Sequence, residues 1–313
     1  MKDLRVVFMG TPDFAVPILK GLFDNTNVVL VVSQPDKPVG RKKVITPSPV
    51  KQLALEHGVE VVTPVKIRAD YSSIEEVKPD LIVTCAYGQI IPKAVLEIPR
   101  YGAINVHASL LPKLRGGAPI HRAIMEGYDK TGITIMYMDE HMDSGDIISQ
   151  REIEITPLDN LDTLSEKLRL CGSELLIETL PSIIDGTNGR IAQDEKEVTF
   201  GYVITKDDEL IDFNRTSREV YDHIRGLNSN PGAYFIMDGK HVKVYNSRMG
   251  EARGEASTIN HVYPDGIGVG TSDGEIILTE IKPEGKNRIA VKDYLNGVKK
   301  ESLLGVKLND RVD

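Results

Sequence analysis

Tryptophan is absent from this chain, and cysteine occurs only twice, as Cys85 and Cys171. A disulfide framework or a zinc site needs more thiols at closer spacing, so both cysteines are expected to be buried free thiols in a reducing compartment. Long apolar stretches are missing too. The longest clean run, Val28–Val32, is five residues, whereas a membrane span needs about 20. The opening MKDLRVVFMG places an acid at position 3 and a glycine at position 10, which does not read as a signal peptide. A cytoplasmic location is the expectation. Positive charge is not in excess: 38 Lys and Arg face 46 Asp and Glu, for a net charge of −8. That excludes a protein whose whole surface grips nucleic acid nonspecifically, though not a local basic element.

What is present describes a globular protein of two domains. The 313 residues, 41% of them apolar and 27% charged, exceed what one ordinary core accommodates. Residues 1–188 alternate short apolar runs with amphipathic segments, the pattern of parallel βαβ units in a Rossmann-like α/β fold. Strands are predicted at Leu4–Met9, Val28–Ser33, Glu60–Val62, Asp80–Ala86, Tyr101–His107, Gly132–Met138 and near Asp146–Ile155. A long amphipathic helix is predicted over roughly Asp159–Ile184. Residues 189–206 lack a sustained period and read as a linker. Residues 207–313 carry one helix near 216–227 and then five short strands. Asp238-Gly239, Pro264-Asp265-Gly266 and Ser272-Asp273-Gly274 punctuate them, as in a small β-barrel.

The first βα turn, Gly10-Thr11-Pro12-Asp13, has one glycine where a dinucleotide fingerprint needs three, and Pro12 removes a backbone donor. A nicotinamide enzyme is therefore disfavoured. More informative is Asn105-Val106-His107-Ala108-Ser109-Leu110-Leu111-Pro112-Lys113-Leu114-Arg115-Gly116. Asn105 and His107 share one strand face, near the carboxyl end where α/β folds place ligands. A second polar cluster, Asp139-Glu140-His141-Met142-Asp143-Ser144-Gly145-Asp146, follows the next strand. Adjacent strands would bring it beside His107, where one of its carboxylates could orient the imidazole; spacing does not choose among Asp139, Glu140, Asp143 and Asp146. His107, His141 and a carboxylate lack any metal-ligand spacing, so no metal is expected. No activated-nucleophile motif is present, which suits a reaction whose substrate supplies the nucleophile while the protein handles proton transfer and charge.

Residues 36–51 carry Lys37, Arg41, Lys42, Lys43 and Lys51 against the single acid Asp36, a local charge of +4. Its prolines restrict the backbone while positive charge concentrates on Arg41, Lys42 and Lys43.

Ser109–Gly116 resembles the S-L-L-P-K-[YF]-R-G signature of the folate-dependent formyltransferases, and Asn105, His107 and Asp143 fall on that family's Asn–His–Asp catalytic set. Three further stretches are similar to the members that act on charged initiator tRNA. They are Phe8–Phe14, the basic insertion from Gln34 to Lys51, and a second domain with Ile224-Arg225-Gly226-Leu227, Pro231-Gly232-Ala233-Tyr234 and Lys282–Lys286. The resemblance covers essentially the whole chain. Leu114 stands where the signature has an aromatic, and Phe213 and Asn230 stand where such chains often carry tryptophan. The resemblance implies formyl transfer from 10-formyltetrahydrofolate, as cosubstrate, to the α-amine of methionine on initiator tRNA. It implies a folate lying along Ser109, Leu110, Leu111 and Pro112 beside the turn Ala86–Ile91, and a tRNA acceptor end read by Arg41, Lys42 and Lys43. It further implies an OB-fold-like second domain that binds tRNA, with Lys282, Lys286, Arg288 and Lys292 as candidate contacts, and a monomer. A sugar-nucleotide acceptor and a catalytically idle RNA-binding protein are the competing expectations.

Overall fold

The computed structural model describes residues 1–40 and 43–309. They form two compact units. Met1–Pro119, Lys130–Glu154 and Ser165–Tyr202 make the first, and Ile120–Asp129, Ile155–Leu164 and the chain from Val203 onward make the second.

In the first unit the strands are β1 (Arg5–Gly10), β2 (Asn27–Val32), β3 (Lys37–Val39), β4 (Val44–Thr46), β5 (Val61–Val62), β6 (Leu81–Cys85), β7 (Ala103–His107), β8 (Lys130–Tyr137) and β9 (Ile147–Glu154). Seven of them build one sheet in the order β5-β2-β1-β6-β7-β8-β9. From β5 to β7 the pairing is parallel; β8 and β9 are antiparallel. The sequence accounts for the order. Val6, Val7, Phe8 and Met9 of β1 and every residue of β6 are buried, as apolar strands covered on both faces must be. At the edge, β9 alternates buried or half-buried positions with exposed ones, the pattern of a strand with one wet face.

Helices α1 (Val16–Asn25), α2 (Pro49–Glu56), α3 (Ser72–Glu76) and α4 (Lys93–Leu96) fill the connections between parallel strands. Ser48 caps α2 by accepting from the Lys51 N–H at 3.1 Å, while Pro49 occupies the position that needs no donor. The Ser48 hydroxyl also meets that of Ser33 at 2.6 Å, just past the end of β2. A short helix, α5 (Pro119–Met125), precedes β8, and the long helix expected after β9 is α6 (Leu161–Ile184).

The basic insertion is a hairpin rather than an irregular loop. β3 and β4 pair antiparallel, Lys37 opposite Thr46 and Pro38 opposite Ile45. The Lys51 ammonium bridges Asp36 at 2.8 Å at its base. Val44 and Ile45 are 58% and 69% exposed.

Most of the segment 189–206 is integrated into the first unit. Ile191 exchanges both backbone hydrogen bonds with Ile147, and Phe200 bridges Arg115. The absence of a hydrophobic period reflects an extended strap held by main-chain and polar side-chain bonds.

The second unit is antiparallel β. Helix α7 (Ser217–Leu227) precedes β10 (Ala233–Met237), β11 (Lys240–Gly250), β12 (Ile259–Val262), β13 (Ile267–Gly270) and β14 (Glu275–Pro283), joined in the order β10-β11-β14-β13-β12. A reciprocal Thr216–Glu219 capping box starts α7. The two edges are tied through the C-terminal stretch. Val306 O accepts from Ile259 N at 2.9 Å, Leu308 N donates to Ser257 O at 2.7 Å, and Asn309 N donates to Ile236 O at 2.8 Å. These bonds cover part of each strand edge. Phe213, one of the two residues that the resemblance sets in place of tryptophan, lies fully buried against Phe235 with ring centroids 6.0 Å apart and fills core volume.

Candidate active site

The site is built on β7. Strands β6 and β7 pair in register with Thr84 beside Asn105, and the Thr84 hydroxyl donates to Asn105 Oδ1 at 2.8 Å. Asn105 Nδ2 points to Asp143 Oδ1 at 3.4 Å. A carboxylate only accepts, so the orientation of the amide is settled by both neighbours. An amide nitrogen carries two hydrogens, and one remains to donate to an oxygen that gains negative charge.

His107 is 6% exposed. Its Nε2 lies 3.0 Å from the carbonyl oxygen of Leu114, which can only accept, so Nε2 carries the proton in the neutral ring. Nδ1 therefore holds the lone pair, and it faces Asp143 Oδ2 at 3.7 Å. The ring can take up a proton at Nδ1, and the carboxylate offsets the resulting charge. Leu114 presents its carbonyl from a left-handed backbone, φ +59°.

Asp143 is brought here by a route that strand adjacency does not supply. Because β8 runs antiparallel to β7, His107 pairs with Thr134, and the loop after β8 leaves beside Ala103, at the opposite end of β7. The loop must fold back over the sheet face for Asp143 to reach both Asn105 and His107. Two features hold it there. The Gly116 N–H donates to Asp143 Oδ2 at 2.8 Å. The Gln193 side-chain amide donates to the carbonyls of Asp143 and Gly145, both at 2.8 Å. Of the other acids in the cluster, Asp139 binds Ser144 and the His141 N–H, Glu140 is exposed, and Asp146 pairs with Arg190 at 3.1 Å. Of these four acids, Asp143 alone meets the Asn–His pair.

Along the expected folate stretch, Ser109 and Leu111 are buried while Leu110 and Pro112 are half-exposed. The Ser109 hydroxyl donates to Lys113 O at 2.6 Å, and Leu111 N donates to Thr134 Oγ1 at 3.2 Å. Thr134 in turn donates to Ser109 O at 2.6 Å. The stretch is thus held rigidly on β8, with Leu110 and Pro112 as its accessible members. The nearby turn has left-handed backbone at Ala86 and Gly88 (φ +48° and +87°), and Ile90 is 89% exposed. Gln89 fastens it by accepting from Ile67 N at 2.9 Å and donating to Pro64 O at 3.1 Å. Burial pushes the Tyr87 phenol up to about 12.

Of the three expected tRNA-contacting residues, Arg41 and Lys42 lie outside the described residues. Lys43 is exposed, and its N–H donates to Gly40 O at 3.1 Å within the hairpin turn. Among the described residues no cluster of three or more His, Cys, Asp or Glu could hold a metal ion, and no helix is long and apolar enough to cross a membrane.

Sequence reasoning missed Thr84, the Gly116 N–H, the Leu114 carbonyl and Gln193. A threonine inside the apolar run Leu81-Ile82-Val83-Thr84-Cys85 was a readable signal. The backbone groups had none.

The arrangement supplies a hydrogen-bond donor at Asn105, a proton-accepting nitrogen at His107 and a carboxylate that balances its charge. The family profile described as "Formyl transferase" matches residues 4–180, and "Formyl transferase, C-terminal domain" matches residues 203–299. The chain is 51% identical over 316 aligned residues to methionyl-tRNA formyltransferase of Bacillus cereus strain B4264, covering 98% of this chain and 99% of that one. It is 50% identical to the same enzyme of Bacillus thuringiensis strain Al Hakam, with the same coverage. Among solved structures, WlaRD, a sugar 3N-formyl transferase, superimposes with a TM-score of 0.68 at 20% identity, covering 92% of this chain and 100% of that one. HypX from Aquifex aeolicus in complex with tetrahydrofolic acid gives 0.66 at 18% identity, covering 96% of this chain and 49% of that one. At such identities these two establish the fold alone.

Proposed function

The chain belongs to the formyl transferase family, and from that premise we infer that it moves the formyl group of 10-formyltetrahydrofolate to the α-amine of methionine on initiator tRNA. The product, N-formylmethionyl-tRNA, starts translation. The observation that carries this reading is the convergence of Asn105, His107 and Asp143 within 3.7 Å on one sheet face, in a chain about half identical along its length to enzymes of that name.

The chemistry follows from the polarity of the site. The neutral α-amine attacks the formyl carbon and forms a new C–N bond, leaving a tetrahedral oxyanion. Asn105 Nδ2–H donates to that oxygen. His107 Nδ1 accepts the proton that the attacking amine sheds, and the Asp143 carboxylate stabilises the imidazolium. His107 then returns the proton to N10 of the folate as the C–N10 bond breaks, because an unprotonated amide nitrogen is a poor leaving group. Overall one C–N bond forms, one breaks and one proton changes place.

The tRNA side of the reading rests on two surfaces. The basic insertion that carries Arg41, Lys42 and Lys43 would meet the acceptor end, its cations on phosphates and exposed Val44 and Ile45 of β4 against bases or sugar. In the second unit, residues 207–313 would form the tRNA-binding domain. There Tyr234 stacks on His241 at 4.6 Å, and Arg288, paired with Glu280, covers Tyr245 at 4.3 Å; Lys282 lies on β14 opposite Lys243, and stacked rings with cations suit nucleic acid. The protein would work as a cytoplasmic monomer.

The test is formyl transfer from 10-formyltetrahydrofolate to charged initiator tRNA, run beside a UDP-aminosugar acceptor. Turnover on the tRNA alone supports the reading. Turnover on the aminosugar alone replaces the acceptor and keeps the chemistry.

A further inference from the structure

The segment 190–201 touches both the loop that carries Asp143 and the loop whose Leu114 carbonyl meets His107. At one end Ile191 exchanges backbone bonds with Ile147, at 2.8 and 3.0 Å, and Arg190 pairs with Asp146 while lying 4.2 Å over the Tyr137 ring. At the other end Arg115 N donates to Thr199 O at 2.9 Å, Gly201 N donates to Arg115 O at 2.8 Å, and Ala118 N donates to Gly201 O at 2.9 Å. The Leu114 N–H, on the residue whose carbonyl meets His107, donates to Thr199 Oγ1 at 2.9 Å. One stretch of chain therefore links the loop of Asp143 to the loop of Leu114.

Gln193 is the side chain that completes this link. Its amide nitrogen donates to Asp143 O and Gly145 O, both at 2.8 Å. Its amide oxygen accepts from Arg115 Nε at 3.0 Å. Arg115 is 5% exposed, and its guanidinium is paired with Glu195 at 2.9 Å. The two backbones that this link holds, through Gln193 at Asp143 and through Thr199 at Leu114, are left-handed ones: φ +51° and φ +59°, a region that disfavours a non-glycine residue. The Asp143 carboxylate has a donor from Gly116, but the carbonyls of the loop have Gln193.

We propose that Gln193 is a positioning residue for formyl transfer, acting through Asp143 on His107 while Thr199 holds the Leu114 carbonyl on the other side of the same imidazole. The inference rests on the reaction proposed above. Gln193 touches no reacting atom; it sets the distance between the carboxylate and Nδ1. Misplacement of a reacting group by about 1 Å costs up to about 100-fold in rate, so the effect belongs in kcat and not in substrate affinity.

The experiment compares wild type with Gln193→Ala and Gln193→Glu in the full chain. Glutamate is nearly isosteric and still accepts from Arg115, but it cannot donate to the two carbonyls. Both variants are expected to lose about 10- to 100-fold in kcat, with KM for the folate and for the tRNA changed by less than about twofold. Placed on an Asp143→Asn background, Gln193→Ala is expected to add no further loss, since the two act through one group. The Gly116 amide proton resonance, which reports its bond to Asp143, is expected to shift in both Gln193 variants. Wild-type kcat in Gln193→Glu, or losses that multiply in the double variant, would overturn the proposal. If wild type itself transfers no formyl group, the functional reading fails, and the Gly116 resonance alone decides whether Gln193 holds Asp143: an unmoved signal sinks the positioning role.

Discussion

His107 Nε2 sits 3.0 Å from the carbonyl oxygen of Leu114, and that hydrogen bond decides which ring nitrogen is free to work. The carbonyl accepts, Nε2 stays protonated, and Nδ1 faces Asp143 at 3.7 Å. A histidine on a strand could have used either nitrogen; here one backbone oxygen selects. His107→Ala is expected to lower kcat at least ~100-fold, the scale of a lost proton carrier, while the circular dichroism spectrum is unchanged. Asn105→Ala should cost about 100- to 1,000-fold as a lost oxyanion donor. Wild-type turnover in either purified variant would remove that residue from the mechanism.

Thr84 offers a subtler test. Its hydroxyl bonds Asn105 Oδ1 at 2.8 Å, so Thr84→Val keeps the shape of the strand and releases the amide. One such bond is worth about 1 kcal/mol, and a several-fold fall in kcat at unchanged KM is the expected result. Steady-state kinetics on the two variants Thr84→Val and Thr84→Ser, the second retaining activity, checks it.

Gly145 stands where no side chain fits. A Cβ there would lie 2.0 Å from the Tyr137 carbonyl oxygen, a backbone atom that cannot swing away. Gly145→Ala is expected to displace the loop bearing Asp143 and to reduce kcat by about tenfold or more, the consequence of a misplaced charge. Equal activity of the variant and wild type would show that the loop adapts without loss.

The cationic hairpin is tested by salt. Replacing Arg41, Lys42 and Lys43 with alanine should raise KM for tRNA and leave KM for the folate unchanged. The slope of log affinity against log salt should fall by roughly 0.7–0.9 for each phosphate no longer neutralised. An unchanged slope in a filter-binding series would move the phosphate interactions elsewhere.

Acid should destabilise the second unit through His223. Burial chiefly, with the Arg215 charge adding to it, pushes this imidazole down to about 4, below the ~6.5 of an unfolded chain. Between those values the unfolded state binds the proton and the folded state does not, so stability falls as pH drops from about 6.5 towards 4, by up to ~3 kcal/mol. His121, lowered in the same direction mainly by burial, adds to the trend. Thermal melts of wild type and His223→Gln at pH 7 and 4.5 provide the check. The difference in Tm between the two pH values should shrink in the variant, and identical shifts would exclude His223 as the source.

Much of this was legible in the residues. Strands that are apolar on both faces have to lie inside a sheet, so β1, β2, β6 and β7 were readable within a residue or two of their observed limits. Asn105 and His107 share a face because strand side chains alternate. The hairpin of the insertion was not readable, because Lys37-Pro38-Val39 and Val44-Ile45-Thr46 are too short to carry a period. Nor was the strap at 190–201, whose stability comes from bonds to distant backbone and to Arg115, none of which leaves a local pattern.

By itself the sequence determined the apolar strands of the main sheet, the long helix after them, the shared face of Asn105 and His107 and the charge of the insertion, since these depend on side-chain type and short-range spacing. Tertiary structure alone decided which of Asp139, Glu140, Asp143 and Asp146 serves the imidazole, which ring nitrogen is free, and that Gln193 braces the loop. Those choices hang on reversing β8 against β7 and on single carbonyl oxygens that meet side chains up to 50 positions away. Geometry at that scale is written in no one stretch of chain.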